Sequence, residues 1–129
     1  MINIRRMEEK DVELVYALGI EESRFKINEE QTGFWTREQL SAWTKSEKDV
    51  LLVAEDKGRI AGYVLCQYHP PTRKATFENL HVSPEYRHQG LGEKLTSELV
   101  IGLKAQGAKY ICALVEPDNE AIINTLTRQ

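Results

Sequence analysis

The stretch Val82-Ser-Pro-Glu-Tyr-Arg-His-Gln-Gly-Leu-Gly-Glu-Lys-Leu95 constrains this chain more than any other. It joins an apolar, strand-like run, Ala75 to Val82, to a helical pattern through a turn that contains Gly90 and Gly92. A strand that feeds a glycine-bearing turn and then a helix leaves the first N–H groups of that helix without intrahelical acceptors. The same terminus carries about half a positive charge from the helix dipole, so it can seat a phosphate or diphosphate. Two better-known phosphate loops do not fit. Gly92-Glu93-Lys94 lacks the Gly-Lys-Ser/Thr ending of a Walker loop, and a dinucleotide-binding fingerprint needs a third glycine. What remains is Arg87-His88-Gln89-Gly90-Leu91-Gly92, in which the two glycines let backbone approach a ligand with no Cβ in the way. A plain strand-to-helix turn shows the same pattern, so context must decide.

The rest of the chain supplies that context. With 129 residues, 41% hydrophobic and 29% charged, it is expected to be one domain, 1–129, burying about two thirds of its unfolded surface. No run of eighteen apolar residues and no signal-peptide pattern occurs, so the expected partners exclude a membrane and the expected location is cytoplasmic. The net charge of −3, with both signs interspersed, argues against nucleic acid and is compatible with a cationic amine. Cys66 and Cys112 lie in apolar runs without a C-x-x-C partner and read as reduced core cysteines. No metal-ligand spacing is present, and no metal is expected.

Ile2 to Arg5 alternates as a short strand. Val12, Leu14, Val15 and Leu18, preceded by Asp11, predict a helix of about ten residues. Residues 21–33 read as a polar connection, after which Thr36-Arg-Glu-Gln39 predicts a capping box opening a second short helix. Asp49 to Ala54 and Arg59 to Tyr68 read as a hairpin about Lys57-Gly58. His69-Pro-Pro-Thr72 breaks the sheet before a strand from Lys74 to Val82. Leu91, Leu95, Leu99 and Leu103 then predict a core-facing helix from about Gly90 to Ala105. Gly107 ends it, Tyr110 to Val115 reads as a buried strand, and a last helix starts near Glu120. The order β-α-α-β-β-β-α-β-α predicts an α/β fold, a mixed central sheet with helices on both faces.

Leu80-His81-Val82, Pro84-Glu85-Tyr86-Arg87 and Gly90-Leu91-Gly92, in this order of elements, resemble the acetyl-CoA-binding core of the GNAT superfamily of N-acetyltransferases. The likeness runs from residue 2 to the end and implies an acyl-CoA N-acyltransferase-like fold. It implies acetyl-CoA as co-substrate and a primary amine, of a small molecule or a protein, as acceptor. In that family the fourth and fifth strands splay apart and the pantetheine arm bonds the free edge of the fourth, which assigns Leu80, His81 and Val82 to the cofactor. The diphosphate would meet the backbone of His88, Gln89, Gly90, Leu91, Gly92 and Glu93. Arg87 either supplies charge or folds the turn. Asn119 matches a family asparagine that contacts the cofactor, and it equally suits a cap for the last helix.

Acetyl transfer to an amine requires removal of a proton, stabilisation of an oxyanion and departure of a thiolate. The resemblance assigns the backbone N–H of Leu80 to the oxyanion and makes Glu78 the candidate base. By strict alternation Glu78, Leu80 and Val82 would face one way and His81 the other. An isolated glutamate is also commonly just a solvated carboxylate.

Two departures from the family bear on activity. The position of its thiolate-protonating tyrosine falls at Leu126, and that of an alternative glutamate base falls at Leu114. The sequence stops at Thr127-Arg128-Gln129, where relatives continue with Gly-Phe and two more strands. The expectation is a C-terminally short form, or a homodimer whose partner supplies the missing strands. The alternative function is a catalytically impaired acyl-CoA-binding or regulatory module.

Overall fold

The computed structural model describes residues 2–21 and 33–113. In chain order the elements are β1 (Ile2–Arg6), α1 (Val12–Ile20), α2 (Arg37–Thr44), β2 (Val50–Asp56), β3 (Arg59–His69), β4 (Lys74–Val82), α3 (Leu91–Ala105) and β5 (Tyr110–Ala113). They divide into two compact units, Met1–Arg6 with Lys48–Gln129, and Met7–Glu47.

The first unit is a five-stranded sheet in the order β1-β2-β3-β4-β5. All neighbours are antiparallel except β4 and β5, which run parallel and are linked through α3. Lys57 and Gly58 both take positive φ, 51° and 84°, which gives the β2–β3 turn the twist that two-residue hairpins require. A Cβ on Gly62 of β3 would lie 2.6 Å from the carbonyl oxygen of His81, so the two strands approach this closely only with glycine there.

The leucines of α3 form one stripe. Leu91, Leu95, Leu99 and Leu103 are buried in a cluster with Val64 and Phe77 of the sheet. Burying each such side chain contributes about 1.5–3 kcal/mol over leaving it exposed. At the end of α3, Gly107 takes φ 95°, its N–H donates to Lys104 O at 3.0 Å, and Ala108 N–H donates to Leu103 O at 3.0 Å. That paired closure is a Schellman stop. Buried Asp49 is satisfied within the unit: Tyr68 N–H donates to its carboxylate at 2.8 Å and Lys48 lies 3.1 Å away.

In the second unit α2 opens with a reciprocal cap. Thr36 Oγ1 accepts from Gln39 N–H at 3.1 Å and Gln39 Oε1 accepts from Thr36 N–H at 2.9 Å, the predicted capping box. Ahead of α1, Asp11 accepts from Glu8 N–H at 2.7 Å. A Cβ on Gly19 would fall 2.1 Å from the Phe34 ring, so the glycine lets that ring lie directly on α1.

Two expectations need correction. The strand at Tyr110 is exposed rather than buried: Tyr110 is 62% and Ile111 38% accessible. Its apolar composition encodes β-propensity, but it pairs with β4 on one side only among the described residues. Cys112 on the same strand is therefore exposed, and only Cys66 is a core cysteine. The predicted connection over 22–32, the continuation of β5 to Val115 and the last helix lie outside the described residues. No described helix is long and apolar enough to cross a membrane.

Candidate active site

The site is organised by β4, which changes character at Glu78. From Lys74 to Phe77 the strand pairs with β3 on one edge and with β5 on the other. From Glu78 to Val82 it pairs with β3 alone among the described residues. The ladder with β3 also slips here: Cys66 opposes Phe77 and Leu65 opposes Asn79, which leaves Glu78 as the extra residue of a β-bulge.

The bulge resets the alternation. Phe77 and Leu80, three residues apart, both pack on the α3 side with Val82. Asn79 and His81 alternate with them and so face the opposite side of the sheet. Simple period-2 counting therefore does not assign Glu78 to the face of Leu80 and Val82, because counting cannot be carried through a bulge. The sequence did carry a signal for it: apolar residues stand at 75 and 77, then at 80 and 82, a switch of parity.

Backbone direction follows from one bond. Ser83 N–H donates to Ala61 O at 2.8 Å, across to β3. N–H and C=O of a strand residue in an antiparallel ladder point the same way and alternate along the chain. Val82 and Leu80 thus turn their backbone groups to the open edge, whereas His81 turns its own to β3. Leu80 and Val82 stand where an extended amide-bearing ligand could add as a strand; the backbone of His81 does not.

The turn that follows is built from local bonds. Arg87 Nε donates to Val82 O at 2.9 Å, and Gln89 Nε2 donates to Glu85 O at 3.2 Å. Of the two readings of Arg87, folding the turn is the one this contact fulfils. Tyr86 Oη donates to Asp56 Oδ2 at 2.8 Å, tying the turn to the β2–β3 hairpin. That bond holds the Asp56 carboxyl below its ordinary value and raises the Tyr86 phenol. Tyr86 enters the sequence reading only as part of the Pro84–Arg87 match, and its pairing with Asp56, thirty positions away, has no sequence signal.

His88 takes φ 63° and Gly90 φ 80°, so the chain enters α3 through left-handed residues. At Gly90 a Cβ would meet nothing within 4 Å; glycine is needed there for its dihedral angle, not for space. A Cβ on Gly92 would touch Leu80 and Val82 at 3.7 Å, so this residue looks directly onto the open half of β4. Hydrogen bonding within α3 begins with Lys94 N–H to Gly90 O at 3.1 Å, which places the amides of Leu91 and Gly92 ahead of the helical ladder. His88, Gln89, Gly90 and Glu93 are exposed; a groove of about 510 Å³ lined by Ile4, Gly90, Glu93, Lys94, Ser97 and Glu98 runs between α3 and β1, away from the open half of β4. Partial burial pushes the Glu78 carboxyl up from its ordinary value. Asn119, Leu114 and Leu126 lie outside the described residues.

The sequence model of the acetyltransferase (GNAT) family matches residues 16–129. The chain belongs to the GNAT family. Among curated relatives, an acetyltransferase of Pectobacterium atrosepticum is 35% identical over 77 residues, covering 60% of this chain and 53% of its own. An acetyltransferase of Sodalis glossinidius is 31% identical over 107 residues, 74% of each chain. N-alpha-acetyltransferase 30 of Schizosaccharomyces pombe is 34% identical over 79 residues, 59% of this chain and 53% of that one. The chain thus spans about half the length of the first and third of these relatives. Among solved structures, the PaiA N-acetyltransferase of Thermoplasma acidophilum in complex with coenzyme A superposes with a TM-score of 0.83 at 20% identity, covering 99% of this chain and 87% of that one. The α/β acyltransferase-like fold of the GNAT family is therefore the fold of this chain.

Proposed function

We propose that this GNAT protein transfers an acetyl group from acetyl-CoA to a primary amine. The observation that carries the proposal is the coincidence, on one strand and the turn after it, of an open β4 edge and the unladdered start of α3. Those residues fit the coenzyme: the exposed turn has backbone N–H groups for a diphosphate, and Leu80 C=O and Val82 N–H offer strand-edge groups for the pantetheine amides. The coenzyme supplies an activated thioester carbonyl.

The chain's own groups take two of the three roles; the coenzyme thiolate, expelled as the carbon–sulfur bond breaks, would take its proton from water. Leu80 N–H, on the open edge, donates to the carbonyl oxygen as negative charge develops on it, which is electrostatic stabilisation by a preplaced dipole. Glu78, one turn of the bulge away, takes the proton that the ammonium must lose before nitrogen attacks. Its raised carboxyl suits that task better than a fully solvated glutamate, since a base works best when its pKa approaches the working pH.

Two measurements test the proposal. Acetyl-CoA raises the melting temperature, and Glu78→Gln lowers turnover by about 10²–10⁴-fold while leaving coenzyme affinity unchanged. In the wild type the rate climbs as pH rises through the Glu78 pKa, because only the deprotonated carboxylate accepts a proton; the variant lacks that limb. An unchanged rate in Glu78→Gln removes this residue from the mechanism.

A further inference from the structure

We propose that Asp56 and Tyr86 are positioning residues for the coenzyme: their hydrogen bond mounts the 83–87 segment on the β2–β3 hairpin and so holds the turn into α3 in the form that receives the diphosphate. The inference rests on the acetyl-transfer reading above and deepens it, since both residues act through the turn rather than by contact with the reacting atoms.

The turn needs holding. Two of its residues are left-handed and one of them is not glycine: His88 takes φ 63° and Gly90 φ 80°. A non-glycine residue stays in that region only where its surroundings over-determine it. His88 is exposed, so packing does not hold it and the flanks must. On the C-terminal flank the α3 ladder begins, with Lys94 N–H donating to Gly90 O at 3.1 Å. On the N-terminal flank Pro84–Tyr86 forms a short 3₁₀ turn, closed by Tyr86 N–H to Ser83 O at 2.9 Å and Arg87 N–H to Pro84 O at 3.3 Å. Contacts of unequal weight fasten that flank to the hairpin. Ser83 N–H to Ala61 O, at 2.8 Å, precedes the 3₁₀ turn. Arg59 and Glu85 stand 3.5 Å apart with side chains 73% and 68% exposed, and such a surface pair contributes little. Tyr86 Oη to Asp56 Oδ2, at 2.8 Å, is a bond to a carboxylate, which is the stronger kind, and of these contacts it lies nearest His88 along the chain.

Both partners are themselves fixed. Asp56 is the last residue of β2, opposite Arg59 in the ladder and directly ahead of the two-residue Lys57-Gly58 turn. The Tyr86 ring packs against the cluster formed by the sheet and α3. The bond therefore joins an acceptor at a set place to a ring at a set place. The charge of Asp56 does nothing for an anion, because a carboxylate repels a diphosphate. What it supplies is the hydrogen-bond acceptor. A turn that takes its binding form for only a fraction of the time weakens the observed affinity by that fraction. Cutting the bond thus lowers coenzyme affinity without removing any group that meets the coenzyme, which is a loss of preorganisation.

The test titrates acetyl-CoA calorimetrically into the wild type and its variants, each of which is also melted without ligand. Tyr86→Phe keeps the ring and removes only the hydroxyl; it is expected to raise Kd about tenfold, and Asp56→Ala to do the same. The double variant is expected to lose no more than either single one, because both changes cut one bond. Asp56→Asn keeps an acceptor oxygen and is expected to recover most of the affinity lost in Asp56→Ala. Melting temperatures without ligand should agree within about two degrees, since water reaches both half-buried groups once they part. An unchanged Kd in Tyr86→Phe, additive losses in the double variant, or an Asp56→Asn variant as weak as Asp56→Ala overturns the assignment. Affinity lost only in variants that are unfolded at the titration temperature overturns it too, by making the bond a support of the whole fold. A wild type that does not bind acetyl-CoA overturns the acetyl-transfer reading itself, and this inference with it. Binding that is indifferent to residues 56 and 86 overturns only the latter.

Discussion

The two halves of β4 share one strand and little else. From Lys74 to Phe77 both edges are hydrogen-bonded and the side chains of Ala75 and Phe77 fill the core under α3. From Glu78 to Val82 one edge is open among the described residues, and the strand carries a glutamate, an asparagine and a histidine. Nothing in β-strand chemistry requires this asymmetry. The closed half is what a sheet needs for stability, and the open half is what a strand-adding ligand needs for binding. The bulge at Glu78 marks the boundary between them.

Substitutions should separate the halves. The largest effect is expected at Gly62, opposite Val82 on the β3 edge of the open half. Gly62→Val must displace backbone that lies 2.6 Å from a Cβ, and a cost of about 4 kcal/mol or more, read by urea unfolding, is expected. A small change would mean that β3 and β4 need not approach so closely. Next is Phe77→Ala in the closed half, where a cavity against α3 costs about 3–5 kcal/mol. Acetyl-CoA affinity of the folded variant should be unchanged; a matching loss of affinity would show that the halves are not independent.

How much of this could be read from the residues alone depended on how local each cause is. The Thr36–Gln39 box, the Lys57-Gly58 turn and the α3 leucine stripe are set by neighbours within four positions, and each was legible. The bulge was visible only as the change of apolar parity between Phe77 and Leu80, which strict alternation overlooked. The Tyr86–Asp56 bond joins distant turns that no spacing rule links. Residues 110–112 illustrate the reverse error: apolar composition was taken for burial, whereas an edge strand can be apolar and exposed.

The smallest effect concerns the two thiols flanking the closed half. Burial, with the nearby charges of Asp49 and Glu78, pushes the Cys66 thiol up to about 12, whereas Cys112 is exposed. At pH 8 a disulfide reagent should therefore modify Cys112 in the native protein and reach Cys66 only after unfolding, since the thiolate is the reactive form. Rapid native modification of both would show that the sheet beneath α3 opens readily.

Calorimetric titration of acetyl-CoA into the protein, alongside a Gly90→Val variant, bears most directly on the central claim that the Arg87–Gly92 turn and the open half of β4 together hold the thioester carrier. Binding of one molecule per chain is expected, with affinity sharply reduced in the variant, because a β-branched residue cannot hold φ near 80°. Absence of binding heat at several temperatures in the wild type, together with no thermal protection, would contradict the claim.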